Sequence, residues 1–171
     1  ADAARVEPPK RLAPPEAVSN AAAELSDDGP LRDELERFGA ELTLFQNSSL
    51  AAEFFADLRP VRDAELALDP TSDRLTLSAA RGLFKLLAYK DEYEVARLYT
   101  DGQFARKLHD QFEGDYKLKF HMAPPLFAKR DPETGELLKQ EFGPWMMTAF
   151  RALAGMKFLR GTAFDPFGRS A

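Results

Sequence analysis

The sequence contains no cysteine. A disulfide framework, a cysteine nucleophile and a thiolate-held iron–sulfur cluster are therefore excluded within these 171 residues. No stretch is apolar over the roughly 20 residues that a membrane-spanning helix needs, and the first residues lack the basic and apolar regions of a secretory leader. We therefore expect a cytoplasmic domain that has no membrane partner.

Histidine and tryptophan are also scarce, with two and one in the chain. The two histidines, His109 and His121, are accompanied by no carboxylate at a metal-ligand spacing, so we expect no metal site. Phenylalanine, by contrast, occurs 14 times, which favours an aromatic core. With 44% hydrophobic and 30% charged residues, the chain has the size and composition of a globular domain.

The net charge of −5 is unevenly distributed along the chain. Residues 1–80 carry 8 basic and 16 acidic side chains, whereas residues 81–171 carry 15 and 12. Both signs are interspersed in the second half, as on an ordinary solvated surface. We therefore expect no nucleic-acid partner.

Proline pairs and acidic residues dominate residues 1–30. Proline pairs favour extended structure, and few apolar side chains in this segment can pack. We predict an extended, acidic, proline-rich arm or linker over 1–30, with room for one helical turn around 17–25. A single helical domain is predicted to follow over 31–171.

Apolar residues recur at spacings of three and four over 31–45, which is the pattern of one face of a helix. Asn47 then has the character of an N-cap. A second apolar face begins at Leu50 and meets Pro60, which we expect to kink or end that helix. Further helices are predicted over the ranges 76–89, 91–99, 104–112 and 144–157.

Residues 116–122 alternate between apolar and polar side chains, which is typical of a strand. Leu118 and Phe120 would face the core. The turn-forming sequence at 131–135 predicts a hairpin-like excursion after this strand. The expected fold class is mainly α, at the margin of α+β: a helical domain with a small β-strand or hairpin element.

Four blocks of the second half carry a resemblance to a known family. They are residues 84–99 (FKLLAYKDEYEVARLY), 112–125 (FEGDYKLKFHMAPP), 142–146 (FGPWM) and 159–168 (LRGTAFDPFG). In this order they resemble the C-terminal region of the large bacterial indolepyruvate ferredoxin oxidoreductases, a region best described as a domain of unknown function. A weaker likeness covers 38–66, and residues 1–30 resemble nothing that we can name.

The resemblance implies part of an enzyme that decarboxylates arylpyruvates oxidatively to acyl-CoA and passes the electrons to ferredoxin. Other domains of that enzyme would hold thiamine diphosphate, magnesium and iron–sulfur clusters. This chain lacks cysteine, and it lacks the Gly-Asp-Gly followed by Asn that binds magnesium diphosphate. We therefore expect no cofactor and no catalytic residue in it.

The role implied for the chain is structural. It would pack against other domains of the parent oxidoreductase, and ferredoxin would be an indirect partner. Whether the chain also forms a homodimer is left open. A stand-alone, non-catalytic interaction module of the same fold is the alternative.

The best site-like feature of the sequence is a row of cationic side chains. Lys117, Lys119 and His121 lie on the side of the predicted strand opposite Phe120. Together with Lys129 and Arg130, they are candidates for binding an anion or contacting a neighbouring domain. A solvated strand face is the alternative interpretation.

The segment 89–97 concentrates acids, bases and two phenols. One interpretation is a capping box at Asp91 and Glu94 with an intrahelical pair between Glu94 and Arg97. The other is a charged patch that docks onto another domain, since tyrosine is enriched at interfaces.

Overall fold

The computed structural model describes residues 13–114, 117–122, 129–130 and 137–167, and at 129, 130 and 137 it describes the backbone alone. The chain divides into two compact units, of which the first ends at Tyr89 and the second begins at Lys90. The first unit contains helices α1 (Glu16–Ala23), α2 (Gly29–Phe45), α3 (Ser48–Leu68) and α4 (Arg74–Leu87). The second contains α5 (Glu92–Thr100), α6 (Gln103–Gln111), β1 (Phe120–Met122), β2 (Lys129–Arg130), β3 (Leu137–Leu138), β4 (Gln140–Phe142), α7 (Met146–Gly155) and a 3₁₀ turn (Lys157–Leu159).

The prediction of a mainly α fold with a small β element is confirmed. Strands β1 and β4 pair antiparallel, with Phe120 opposite Phe142, and β2 and β3 pair antiparallel inside them. The turn predicted at 131–135 lies outside the described residues, but the strands on either side of it pair as a hairpin requires. None of the helices in the described ranges combines the length and apolar character needed to span a membrane.

The first unit is built around an aromatic and aliphatic core. Phe38 stacks on Phe84 with ring centroids 4.3 Å apart and meets Phe54 edge-on at 6.1 Å. Helices α2 and α3 pack on each other, and both pack on α4. Asn47 caps α3 as predicted, because its side-chain oxygen accepts a hydrogen bond from the Leu50 amide at 3.0 Å.

Helix α1 lies within the segment predicted as an extended arm with one helical turn around 17–25. The helix covers eight residues and packs into a core, so from Glu16 onward the segment is not an extended arm. Val18, Ala22 and Leu25 are buried in the core of the first unit. Their spacings of four and three residues place them on one helical face. The many proline and acidic residues of the segment hid this face from an interpretation based on composition. The helix approaches α2 so closely that a Cβ on Gly39 would lie 2.7 Å from Val18 Cγ1.

Helix α3 continues through Pro60, whereas the sequence predicted a kink or an end there. Proline lacks the N–H that would bond to the Ala56 carbonyl, and both residues lie on the exposed side of the helix. Water can therefore solvate that carbonyl. The buried Phe54 and Leu58 on one side of the proline and the buried Glu65 on the other anchor both halves of the helix to the core.

The second unit has its own smaller core. Tyr99 of α5 stacks on Phe150 of α7 at 5.1 Å and meets Phe104 and Phe120 edge-on. Phe120 is 5% exposed, so the predicted inward face of the strand is confirmed at this residue. Gly102 has a φ of 84°, in the left-handed region where glycine is favoured, and it separates α5 from α6.

The existence of two cores differs from the single domain predicted over 31–171. One core is formed by α1–α4, and the other by elements that follow Lys90. Periodic apolar spacing shows that a helix has a buried face, but it does not show which core receives that face. The boundary between residues 89 and 90 therefore has no counterpart in the sequence pattern.

Candidate functional site

The strand predicted over 116–122 is shorter in the structure: β1 contains His121, whereas Lys117 and Lys119 precede it. The predicted row of basic side chains lies beside a carboxylate of the partner strand. Glu141 of β4 lies directly opposite His121 in the antiparallel register. Lys119 Nζ is 2.8 Å from Glu141 Oε1, and His121 Nε2 is 3.9 Å from Glu141 Oε2. The hydrogen bond from Lys119, together with the charges of Lys119 and His121, lowers the pKa of Glu141. The row is therefore partly neutralised.

These side chains are open to solvent. Those of Lys119 and His121 are each 61% exposed, and Lys117 is exposed as well. An exposed ion pair contributes about 0–1 kcal/mol to stability because water screens it. The arrangement is a solvated cross-strand pair that can still attract an anion or a neighbouring surface.

The structure places the backbones of Lys129 and Arg130 in β2, opposite Leu138 and Leu137. Their side chains lie outside the described residues, so their predicted part in an anion site stays a prediction. Sequence reasoning missed Glu141, because only the register of β1 with β4 brings it beside His121. The alternation of Gln140, Glu141 and Phe142 is the one local signal that a strand was present.

A larger polar cluster joins the two ends of the second unit, and we refer to Asp91, Tyr93, Arg160 and Asp165 as the polar network. Arg160 donates hydrogen bonds to both carboxylate oxygens of Asp91, one of them at 2.9 Å from Nη2. The side chains of this pair are 8% and 9% exposed. The guanidinium carbon of Arg160 also lies 5.5 Å from the centre of the Tyr93 ring, within the range of a cation–π contact.

Tyr93 extends the network to the chain after the 3₁₀ turn. Its hydroxyl donates a hydrogen bond of 3.0 Å to Asp165 Oδ1, and its ring meets Phe167 edge-on at 5.3 Å. Burial of the phenol, with this hydrogen bond and the nearby carboxylates, raises the pKa of Tyr93 to about 12. Asp165 also accepts hydrogen bonds from the amides of Gly161 and Phe167. One carboxylate thus shapes the loop 161–167 and fastens it to α5.

Of the capping box predicted at the start of α5, the structure shows the half in which Asp91 caps the Glu94 amide, and the predicted pair between Glu94 and Arg97 is present. Asp91 Oδ1 accepts a hydrogen bond of 2.8 Å from the Glu94 amide, and Arg97 donates two hydrogen bonds to Glu94 at 2.7 and 2.8 Å. Lys157 lies near this pair: its partial burial, followed by the charges of Arg97 and Arg160, lowers its pKa. The alternative interpretation of this segment, a patch that docks onto another domain, stays a prediction.

The sequence did not indicate that Arg160 and Asp165 contact α5. Both residues belong to the fourth block of the resemblance, and Asp91 and Tyr93 belong to the first. The available signal is that charged residues stand among apolar ones in both blocks. Their partners become visible only when α5 and the segment after α7 lie side by side.

The first unit contains a comparable buried carboxylate. Glu65 of α3 is 3% exposed and accepts hydrogen bonds from the amides of Leu75 and Thr76 at 2.8 and 2.9 Å. The hydroxyls of Thr76 and Ser72 also donate to it. Burial alone would raise the pKa of Glu65, but these hydrogen bonds outweigh burial and lower it to about 2. Glu65 therefore stays ionised and caps the first turn of α4.

The chemistry available in these clusters is that of ion pairing and helix capping. Asp91 is hydrogen-bonded by a guanidinium and an amide, and Glu65 by two amides and two hydroxyls. Within the described part of the chain, no group of three or more histidines and carboxylates is arranged to hold a metal ion.

Comparison with known proteins gives one family. The model of a family of unknown function, DUF6537, matches residues 31–171, which is most of the chain and includes all four blocks. No curated protein and no solved structure gives a significant match.

Proposed function

We propose that this chain, which belongs to DUF6537, a family of unknown function, is a structural, domain-packing part of an indolepyruvate:ferredoxin oxidoreductase. The proposal rests on the likeness of its four sequence blocks to the C-terminal region of that enzyme. The parent enzyme would convert arylpyruvates to acyl-CoA in the cytoplasm and pass electrons to ferredoxin. Thiamine diphosphate, magnesium and iron–sulfur clusters would be bound by its other domains. In this proposal the present chain contributes a folded surface and no reacting group.

The observation that carries the structural role is the contact between the first and fourth blocks. These blocks carry the resemblance, and their polar residues bind each other: Asp91 forms an ion pair with Arg160, and the Tyr93 hydroxyl donates a hydrogen bond to Asp165. Removing one partner of a buried ion pair leaves an uncompensated charge and costs several kcal/mol. Residues used in this way maintain a fold.

Exposed aromatic side chains of the second unit support a packing role. Trp145, Phe158 and Phe164 are 61%, 68% and 82% exposed. Aromatic residues are enriched in contacts between proteins and between domains. We assign these three residues as candidates for contact with the thiamine-binding or cluster-binding domains.

The alternative is a stand-alone, non-catalytic interaction module that has the same fold. The reading frame upstream of the codon for Ala1 separates the two. A frame that continues into thiamine-binding and cysteine-bearing domains supports the proposal. A start codon close to Ala1 contradicts it and supports the module.

The structural role is tested in the complete enzyme that carries this chain. We expect Trp145→Ala and Phe158→Ala to weaken the association or the thermal stability of the enzyme. Specific activity per correctly assembled molecule should be unchanged. Asp110→Asn, on the exposed side of α6, is the matched control. A variant that assembles normally but has lost turnover would contradict the proposed role, because the altered residue would then act on the reaction.

A further inference from the structure

Helix α4 presents an apolar stripe to solvent. Leu75 and Leu86 are 50% and 77% exposed. They are separated by about three helical turns and so lie on the same side of the helix. Gly82 lies between them, and a Cβ added there would have no heavy atom within 4 Å. The opposite side of α4, with Thr76 and Ala80, is buried.

A basic stripe runs beside the apolar one. Arg74, Arg81 and Lys85 are exposed, and α4 contains no acidic residue. This is unusual in a unit whose sequence is strongly acidic. Arg81 already lies 3.2 Å from Glu34, so Arg74 and Lys85 supply most of the charge available to a partner. We call the two stripes together the α4 face.

The neighbouring helix α3 has the opposite character. Glu53, Asp57 and Asp63 are exposed on its solvent side, and we call them the α3 carboxylates. Within the described residues, no ion pair involves any of the three. The arginines of α3 cannot serve them easily, since Arg59 pairs with Glu24 and Arg62 donates to the carbonyls of Leu25 and Ser72.

We propose that the chain associates with a second copy of itself, with the α4 face of each copy lying against the α3 carboxylates of the other. Helices α3 and α4 are neighbours in one unit, so a two-fold axis produces the contact twice. Opposite charges orient the two copies, and burial of Leu75 and Leu86 supplies apolar area at about 25 cal/mol per Å². This inference does not depend on the proposed enzyme.

The first experiment measures the mass of the 171-residue chain by sedimentation equilibrium. We expect a dimer. Gly82→Gln should convert it to a monomer, because the added side chain extends into the space that the second copy would fill. The substitution also replaces glycine by a better helix former, so the melting temperature should not fall when both proteins are measured at a concentration where they are monomeric. This comparison distinguishes a blocked interface from a damaged fold.

The second experiment exchanges the charges. One variant carries Arg74→Glu and Lys85→Glu, and the other carries Glu53→Lys and Asp57→Lys. Each variant alone places like charges in the contact, which should raise its dimer dissociation constant by at least about tenfold. Mixed in equal amounts, the two should form a 1:1 heterodimer, because both copies of the contact then join opposite charges. Lys107→Glu on α6 is the control and should leave the dimer unchanged.

Three results would overturn the proposal. The first is a monomeric wild-type chain at high concentration. The second is a dimer that survives Gly82→Gln, which would place the contact on another surface. The third is a pair of charge variants that stay monomeric after mixing, which would indicate that the α4 face serves an unrelated acidic partner.

Discussion

Arg160 binds Asp91 across 69 residues of sequence, through hydrogen bonds to both carboxylate oxygens. The pair is buried, and it connects the segment after α7 to the N-cap of α5. Asp91 therefore has two roles: it caps its own helix and holds a distant segment in place.

The first prediction concerns this pair. Asp91→Ala should lower the free energy of unfolding by about 3–5 kcal/mol, because it leaves the Arg160 guanidinium buried without its carboxylate. Thermal or urea denaturation followed by circular dichroism measures the change. The exposed substitution Lys107→Ala should change stability by less than about 0.5 kcal/mol.

A double substitution tests whether the two residues act as a pair. Asp91→Ala combined with Arg160→Ala should cost less than the sum of the two single changes, since the second substitution removes the charge that the first left unpaired. Additive losses would show that each residue stabilises the unit through other contacts.

The second prediction concerns the buried Phe120 of β1 and the exposed Lys119 that directly precedes the strand. Phe120→Ala should cost about 3–5 kcal/mol, the usual range for a buried phenylalanine truncated to alanine. Lys119→Ala should cost less than about 0.5 kcal/mol, because its ion pair with Glu141 is exposed. Equal losses on chemical denaturation would contradict the strand assignment.

The third prediction concerns Glu65 and acid. Its pKa is lowered from 4.5 to about 2 in the folded chain, so its ionised form favours folding. That contribution is complete above about pH 4.5 and is lost as the pH falls toward 2. Glu65→Gln should cost about 1.5–3 kcal/mol at neutral pH, the range for hydrogen bonds to a charged group.

The pH dependence supplies the check. Melting temperatures measured from pH 7 down to pH 2 should fall less steeply in Glu65→Gln than in the unaltered chain. Asp27→Asn, at an exposed position before α2, is the matched control and should leave the profile unchanged. Parallel curves for Glu65→Gln and the unaltered chain would show that this carboxylate does not govern the acid sensitivity.

The fourth prediction compares two helical glycines. Gly39→Ala should destabilise the first unit by about 1–3 kcal/mol, because the new methyl group would meet Val18 at 2.7 Å and Phe55 at 2.8 Å. Gly82→Ala, measured at a concentration where the chain is monomeric, should instead stabilise it by up to about 1 kcal/mol, since no heavy atom of the same chain lies within 4 Å of the new Cβ and alanine is the better helix former. Combining Val18→Ala with Gly39→Ala should recover part of the loss, as measured by urea denaturation.

The fifth prediction concerns catalysis. The chain alone should not decarboxylate indolepyruvate when thiamine diphosphate, magnesium, CoA and an electron acceptor are supplied. The reason is that it lacks cysteine and the motif for magnesium diphosphate. Turnover above that of a heat-inactivated sample, measured by reduction of the acceptor, would contradict the proposal that this chain contains no catalytic residue.

The local structure of the chain was predictable from the sequence to a large extent. The helical faces of α2 and α4, the cap at Asn47 and the inward position of Phe120 follow from spacing and side-chain chemistry. Such features depend on residues a few positions apart, and the backbone geometry that relates them is nearly the same in every protein.

The tertiary structure decided which distant residues meet. In the folded chain, α1 is buried against α2, α3 continues past Pro60, and the buried side chains form two separate cores. The tertiary structure also placed Glu141 beside Lys119 and His121, and Arg160 beside Asp91. A side chain's charge determines what kind of partner stabilises it, but the partner itself is chosen by the packing of whole helices and strands. That packing depends on all of their buried faces at once, and no single segment of the sequence encodes it.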